Sequence, residues 1–184
     1  MLKFHKKLGY AFGDLGISVS YFAVGFFYMF YLTDIVGLSP YWAGLAVFIG
    51  KLWDGVNDPL VGIVNDRFST NNGRKRTFVL WGSIPFALSF MLLWFIPIEA
   101  SALLKFILAT LSLLLYATTY SIVVVPYMAL VPAISSEYDE RTQITGLRAI
   151  LATVGTLLGG GIAMWISSFE NELFGLHSMA VGFG

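Results

Sequence analysis

The sequence predicts an all-α membrane protein, on three observations. Of its residues 57% are hydrophobic and only 12% charged, where a soluble domain carries roughly 25% charge. Five apolar stretches are long enough to cross a hydrocarbon core of about 30 Å as helices, each needing about 20 residues. The basic residues of the connections gather on one side of them. Mean hydropathy is +0.76. The chain holds eleven basic and eleven acidic residues, so no global field points to nucleic acid. With no cysteine in the sequence, thiol catalysis, cysteine-ligated metals and disulfides are excluded.

The spans are expected at about 8–33, 41–65, 77–96, 103–131 and 144–167. Lys3, Lys6 and Lys7 precede the first stretch, which is too long for a signal-peptide core and lacks a small-residue cleavage site after it, so it reads as a retained helix. Arg67, Arg74, Lys75 and Arg76 lie between the second and third, and Arg141 between the fourth and fifth. The opposite side has Asp34, Glu99, Lys105, Glu170 and Glu172. The positive-inside bias then puts the N-terminus in the cytoplasm of a multi-pass protein of the plasma membrane. Residues 168–184 read as an outer loop followed by the start of a sixth span, Met-Ala-Val-Gly-Phe-Gly. Five spans and a stub imply a fragment, or one half of something larger.

The second stretch carries Lys51, Asp54 and Asp58 where a spanning helix should hold almost no charge. A charged side chain near a helix centre costs about 2.5–3.5 kcal/mol on insertion scales, so these persist only if paired or hydrated, and they mark an ion or solute pathway. At 100° per residue, Lys51, Asp54, Gly55, Asp58, Gly62 and Asn65 share a narrow face. Pro59 has no N–H, so the Gly55 carbonyl on that face loses its helical partner. Two carboxylates and a freed carbonyl suit a hard cation such as Na+, or a proton. The alternative is that Lys51 neutralises Asp54 at a spacing of three and merely fixes packing. Three acids, Asp14, Asp54 and Asp58, stand against two bases, Lys51 and Arg148, within the spans. One bound monovalent cation would cancel the difference, as could the rest of a larger protein.

On the first stretch Tyr10, Asp14, Tyr21, Gly25 and Tyr28 share a face, with Ser18 at its margin. Asp14 lies about as deep as Arg148 on the fifth stretch, so the two can pair; equally, Asp14 can be an interfacial charge reaching water. The fourth stretch lines up Tyr116, Thr119, Tyr120, Val123 and Tyr127, with Pro126 freeing the carbonyl of Ile122. Tyrosines can stack on a solute and bond its hydroxyls, although an aromatic stripe also serves packing. Arg148 shares its face with Ala152, Gly155 and Gly159, small residues that let a neighbouring helix come close.

Between the second and third stretches the chain reads Gly62-x-x-x-Asp66-Arg67-x5-Gly73-Arg74-Lys75-Arg76. These charges can be topogenic alone. The segment also resembles the loop signature of major facilitators, in which Asp66, Arg67, Gly73 and Arg74 would form a gating latch. Together with Trp53-Asp54-x-x-Asn57-Asp58-Pro59, Tyr31-x-Thr33-Asp34-x-Val36-Gly37-Leu38 and Val125-Pro126-Tyr127-x-x-Leu130-x-Pro132, it resembles the glycoside-pentoside-hexuronide:cation symporter family, of melibiose-permease type. The resemblance covers roughly residues 7–161 and implies the N-terminal six-helix half of a major facilitator fold.

It further implies that Asp54 and Asp58 serve a coupling Na+, Li+ or H+, that Lys51 matches the basic position just before them, and that Tyr120 and Arg148 match positions near the sugar. The chain departs from the melibiose type at Ile17 and Ser18, where that type has a Lys-Asp pair. It departs again at Val124, which replaces an aspartate, and at Met128, which replaces a sugar-stacking tryptophan.

The expected function is therefore cation-coupled transport of a small solute by alternating access, with a sugar or glycoside first and a lipid-like solute as the alternative. The expected solute contacts are Tyr120, Arg148, Asp14, Ser18, Tyr21 and Lys51, and the cation ligands Asp54, Asp58 and Gly55. No cofactor beyond the coupling cation is expected. The partners are the solute, the cation, the lipid bilayer and a C-terminal half or second copy, without which this half would be inactive. A non-transporting assembly or sensor protein on the same scaffold is the competing class. An enzyme is not expected: His5 and His177 lie outside the spans, and no His-Asp or Ser-Lys pair falls at helical spacing.

Overall fold

A computed structural model of the protein describes residues 4–68, 74–134 and 137–166. Among them every regular element is helical: α1 (Phe4–Phe30), continued by a π-helical turn (Tyr31–Ile35), then α2 (Pro40–Phe68), α3 (Arg74–Leu93), α4 (Ala102–Met128), the single turn α5 (Val131–Ile134) and α6 (Tyr138–Ile166). The five long helices overlap the five expected stretches. The expected sixth span lies outside the described residues.

By length and apolar composition alone, three helices qualify to cross a membrane, over Lys7–Ile35, Ala102–Met128 and Tyr138–Gly161. Two expected spans fall short of that standard for different reasons. α2 is long enough at 29 residues but carries the polar row that drew attention to it, and the described apolar part of α3, Val79–Leu93, is short. The helices also outrun the apolar stretches. α6 begins at Tyr138 rather than near 144, because Asp-Glu-Arg-Thr-Gln extends a helix in water as readily as apolar residues do in lipid, and hydropathy sees only the latter. α4 stops at Met128 and the chain turns into α5.

Side-chain registers fix the directions of the helices. α1 and α6 run parallel, with Lys7 beside Glu140, Asp14 beside Arg148 and Leu15 beside Gly155. α2 and α4 also run parallel, through Gly50 and Leu113, Trp53 and Thr118, and Asp58 and Ser121. α3 is antiparallel to α4, through Phe90 and Tyr116, Ser89 and Thr119, and Gly82 and Val123. Two packed units result, α1 with α6 and α2 with α3 and α4.

The first unit depends on one close approach. A β-carbon at Gly155 would lie 2.6 Å from the carbonyl oxygen of Leu15, so only glycine lets these backbones meet.

α1 meets α4 instead through long aromatic side chains. Tyr10 stacks on Tyr127 with centroids 4.6 Å apart, Tyr21 lies 5.7 Å from Tyr120, and the Tyr28 hydroxyl is 3.2 Å from that of Ser112. The end of α1 beyond Tyr28 is pinned. The Tyr31 hydroxyl donates to the Trp94 carbonyl at 2.8 Å and accepts from the Ile96 N–H at 3.1 Å. Lys105 Nζ donates to the Val36 carbonyl at 2.6 Å, supplying a donor to an otherwise free helix-end oxygen. Gly37 then turns the chain at φ 71°, a region glycine enters without strain. Tyr28, Tyr31, Leu32, Phe90, Leu93 and Trp94 close this end as a fully buried core.

Candidate functional site

Below that core, α1, α2 and α4 diverge around a cavity of about 310 Å³. Tyr21, Gly25 and Tyr28 line it from α1, Lys51 and Asp54 from α2, and Tyr116 and Tyr120 from α4. Its walls are largely aromatic and aliphatic, and its charge is concentrated on one side. There Lys51 Nζ lies 3.4 Å from Asp54 Oδ2 and 5.1 Å from the centroid of the Tyr21 ring. Lys51 remains 58% exposed as a side chain, so this pair is loose.

Asp58, one turn further along α2, is held differently. The Ser121 hydroxyl donates to its Oδ1 at 2.5 Å. That same hydroxyl lies 3.0 Å from the Ala117 carbonyl, and its single proton can serve only one of the two acceptors. Asn57 Nδ2 donates to the Ala117 carbonyl at 3.4 Å and Trp53 Nε1 to Thr118 Oγ1 at 2.9 Å. Residues 53, 57 and 58 thus clamp α2 onto one turn of α4, and the clamp orients the two carboxylates. Gly55 is exposed, and Pro59 sits inside an unbroken helix, leaving the Gly55 carbonyl without the N–H that residue 59 would supply. Among the described residues no group of three or more His, Asp or Glu side chains could hold a metal. A cation here would meet a mixed set of carboxylate, hydroxyl and carbonyl oxygens.

Asp14 and Arg148 form a site of their own. Arg148 Nε and Nη2 donate to Asp14 Oδ2 and Oδ1 at 2.6 and 3.1 Å, a bidentate pair. The Tyr127 hydroxyl lies 2.8 Å from Asp14 Oδ2 and 2.7 Å from the Tyr10 carbonyl, and its single proton can serve one of them; the guanidinium lies 4.9 Å from the Tyr127 ring and 5.7 Å from that of Tyr10. The Tyr10 hydroxyl donates to the Tyr127 carbonyl. Of the two alternatives for Asp14, the ion pair is the one found, with the Asp14 and Arg148 side chains only 11% and 13% exposed. Deeper toward the N-terminus Lys7 Nζ lies 3.2 Å from Glu140 Oε1 and donates to Gln143 Oε1 at 2.9 Å.

The expected residues therefore separate into groups. Lys51, Asp54, Tyr21 and Tyr120 share the cavity. Asp14 and Arg148 are committed to each other. Ser18 lies against Gly155 in the α1–α6 contact, 3.2 Å from where that residue's β-carbon would be. Asp66 and Arg67 end α2 and Arg74 begins α3; their side chains, and Gly73, lie outside the described residues.

Sequence reasoning missed Ser121 and the Lys7–Glu140 pair. Both carried a signal. Ser121 falls three residues after Thr118, on the flank of the tyrosine stripe, and Lys7 falls seven before Asp14, on the same face of α1.

The sequence profile of the family described as MFS/sugar transport protein matches residues 9–183. The chain belongs to this facilitator family. It is 34% identical over 162 residues to an uncharacterized symporter of Synechocystis, covering 85% of this chain and 30% of that one. It is 35% identical over 158 residues to the putative glycoside/cation symporter YagG of Escherichia coli, covering 86% and 34%. It is also 35% identical over 167 residues to the sodium-dependent lysophosphatidylcholine symporter 1 of Xenopus tropicalis, covering 90% and 31%. The chain spans about a third of the length of the curated relatives it matches. These relatives are named as symporters, so this facilitator chain sits among multi-pass membrane transport proteins rather than enzymes.

Proposed function

We propose that the protein moves a small solute across the plasma membrane together with Na+ or H+, with its N-terminus in the cytoplasm. The observation that carries this reading is the charge balance of the described spans. Asp14 is neutralised by Arg148 and Asp54 by Lys51, while Asp58 has a hydroxyl for a partner and no base. Asp58 is exposed, on the face of a helix expected to span the bilayer, where an uncompensated charge costs about 2.5–3.5 kcal/mol on insertion scales and a bound cation or proton neutralises it. The cation sits on Asp58, with the Ser121 oxygen, the Gly55 carbonyl and Asp54 as its further ligands.

Neutralising Asp58 lowers the cost of desolvating the neighbouring cavity, which raises its affinity for the solute, and by linkage the solute raises affinity for the cation. Tyr21, Tyr120 and Lys51 contact the solute there, and Asp14, Arg148 and Ser18 support that side of the bundle. This half then rocks against a second, supplied by a C-terminal bundle or another copy, with Asp66, Arg67, Gly73 and Arg74 latching one of the two states.

The solute is a sugar or glycoside in the reading closest to the glycoside/cation relative. A lipid-like solute is the second reading. It is favoured by the lysophosphatidylcholine symporter relative and by a cavity whose walls are mostly apolar. Purified full-length protein in vesicles should accumulate one of these solutes when a Na+ or proton gradient is imposed, and lose accumulation on Asp58→Asn. Uptake that ignores both gradients would refute the reading.

A further inference from the structure

Lys51 lies between two partners in the cavity. Its ammonium reaches Asp54 at 3.4 Å without the short contact of a tight ion pair, and it already overlies the Tyr21 ring at 5.1 Å. Both partners line the same cavity. A single rotation of a flexible four-carbon stem carries the charge from one to the other, and an aromatic face is a site where an ammonium can rest. A second cation placed on Asp54 would sit within a few ångströms of this ammonium and be repelled by it. The two therefore compete for the carboxylate.

We propose that the Lys51 ammonium is an internal counter-cation that holds Asp54 while the site is empty and is displaced onto the Tyr21 side of the cavity when the coupling cation binds. The inference rests on the cation-coupled reading above and adds to it an exchange. The coupling cation engages Asp54 only by releasing Lys51, and the released ammonium then faces the space the solute occupies. A solute with an acceptor oxygen gains a donor at the moment the cation arrives, so the order cation first, solute second is built into one side chain. Asp58, which has no base to expel, gives the cation its first hold.

The experiment is a thermal-unfolding titration of the purified full-length protein with Na+ and, separately, with protons. Lys51→Gln should unfold at a lower temperature than wild type in cation-free buffer and regain wild-type stability at saturating cation. Its half-saturating concentration should be about two- to fivefold lower, the range expected for removing a half-exposed competing charge. Lys51→Arg, which keeps the charge, should stay within about twofold of wild type. Tyr21→Leu removes the resting place, so it should raise the half-saturating concentration; this variant tests the exchange even if Lys51→Gln does not fold.

Unchanged or weaker cation binding in Lys51→Gln, or unchanged binding in Tyr21→Leu, overturns the exchange while leaving cation coupling intact. Failure of the wild-type protein to respond to any cation overturns the coupling itself.

Discussion

Asp58 and Asp54 are one helical turn apart and have unlike surroundings. Asp54 faces a cavity beside an ammonium, and Asp58 faces the buried hydroxyl of Ser121 on the next helix. The sequence made both acids conspicuous, because charge inside an apolar run is visible from composition alone. It set Asp54 apart by its spacing of three from Lys51 but left Asp58 without a partner, because that partner lies on α4, where Ser121 is an unremarkable polar residue among tyrosines and valines. A hydrogen bond to a charged acceptor contributes about 1.5–3 kcal/mol. Ser121→Ala should therefore lower the unfolding temperature in cation-free buffer, and Ser121→Thr, which keeps the hydroxyl, should stay near wild type, both measured by thermal unfolding. The aromatic residues were legible in the same partial way. Their shared faces follow from helical period, whereas the stacking of Tyr10 on Tyr127 depends on how far α1 stands from α4.

The pairing of α1 with α6 is written in charge. From the N-terminal end of α1 the pairs read Lys7–Glu140 and then Asp14–Arg148, with the signs reversed. Sliding one helix by two turns would bring Lys7 toward Arg148 or Asp14 toward Glu140, like charge against like, so the two pairs fix register as well as contact. Arg148→Gln would leave Asp14 buried without its base, at a cost of about 3–5 kcal/mol. Combining it with Asp14→Asn should recover much of that loss. Thermal unfolding of the two single variants and the double variant measures the coupling, and additive losses would show the pair to be incidental.

The helices themselves could be read from the sequence because a 20-residue apolar run has few alternatives in lipid. Their ends could not, since the polar turns that begin α6 are stabilised by helix propensity and by the Lys7 contact rather than by burial in the bilayer. The depth match between Asp14 and Arg148 could be counted along the chain; the glycine contact that brings their helices together could be located but not assigned a partner.

At the scale of the whole molecule, the two helix units are joined by aromatic side chains around a cavity and are pinned at the end beyond Tyr28. The closed end is apolar and fully buried, and the acids lie below it. Among the described residues that arrangement leaves one carboxylate, Asp58, without a base, and the proposed coupling cation depends on it. The most direct test is equilibrium binding of Na+, together with proton uptake, by the purified full-length protein and its Asp58→Asn variant. The account predicts saturable binding of about one monovalent cation per chain, as the single uncompensated charge requires, and its loss in Asp58→Asn. An Asp58→Asn protein that binds the cation as wild type does would contradict it.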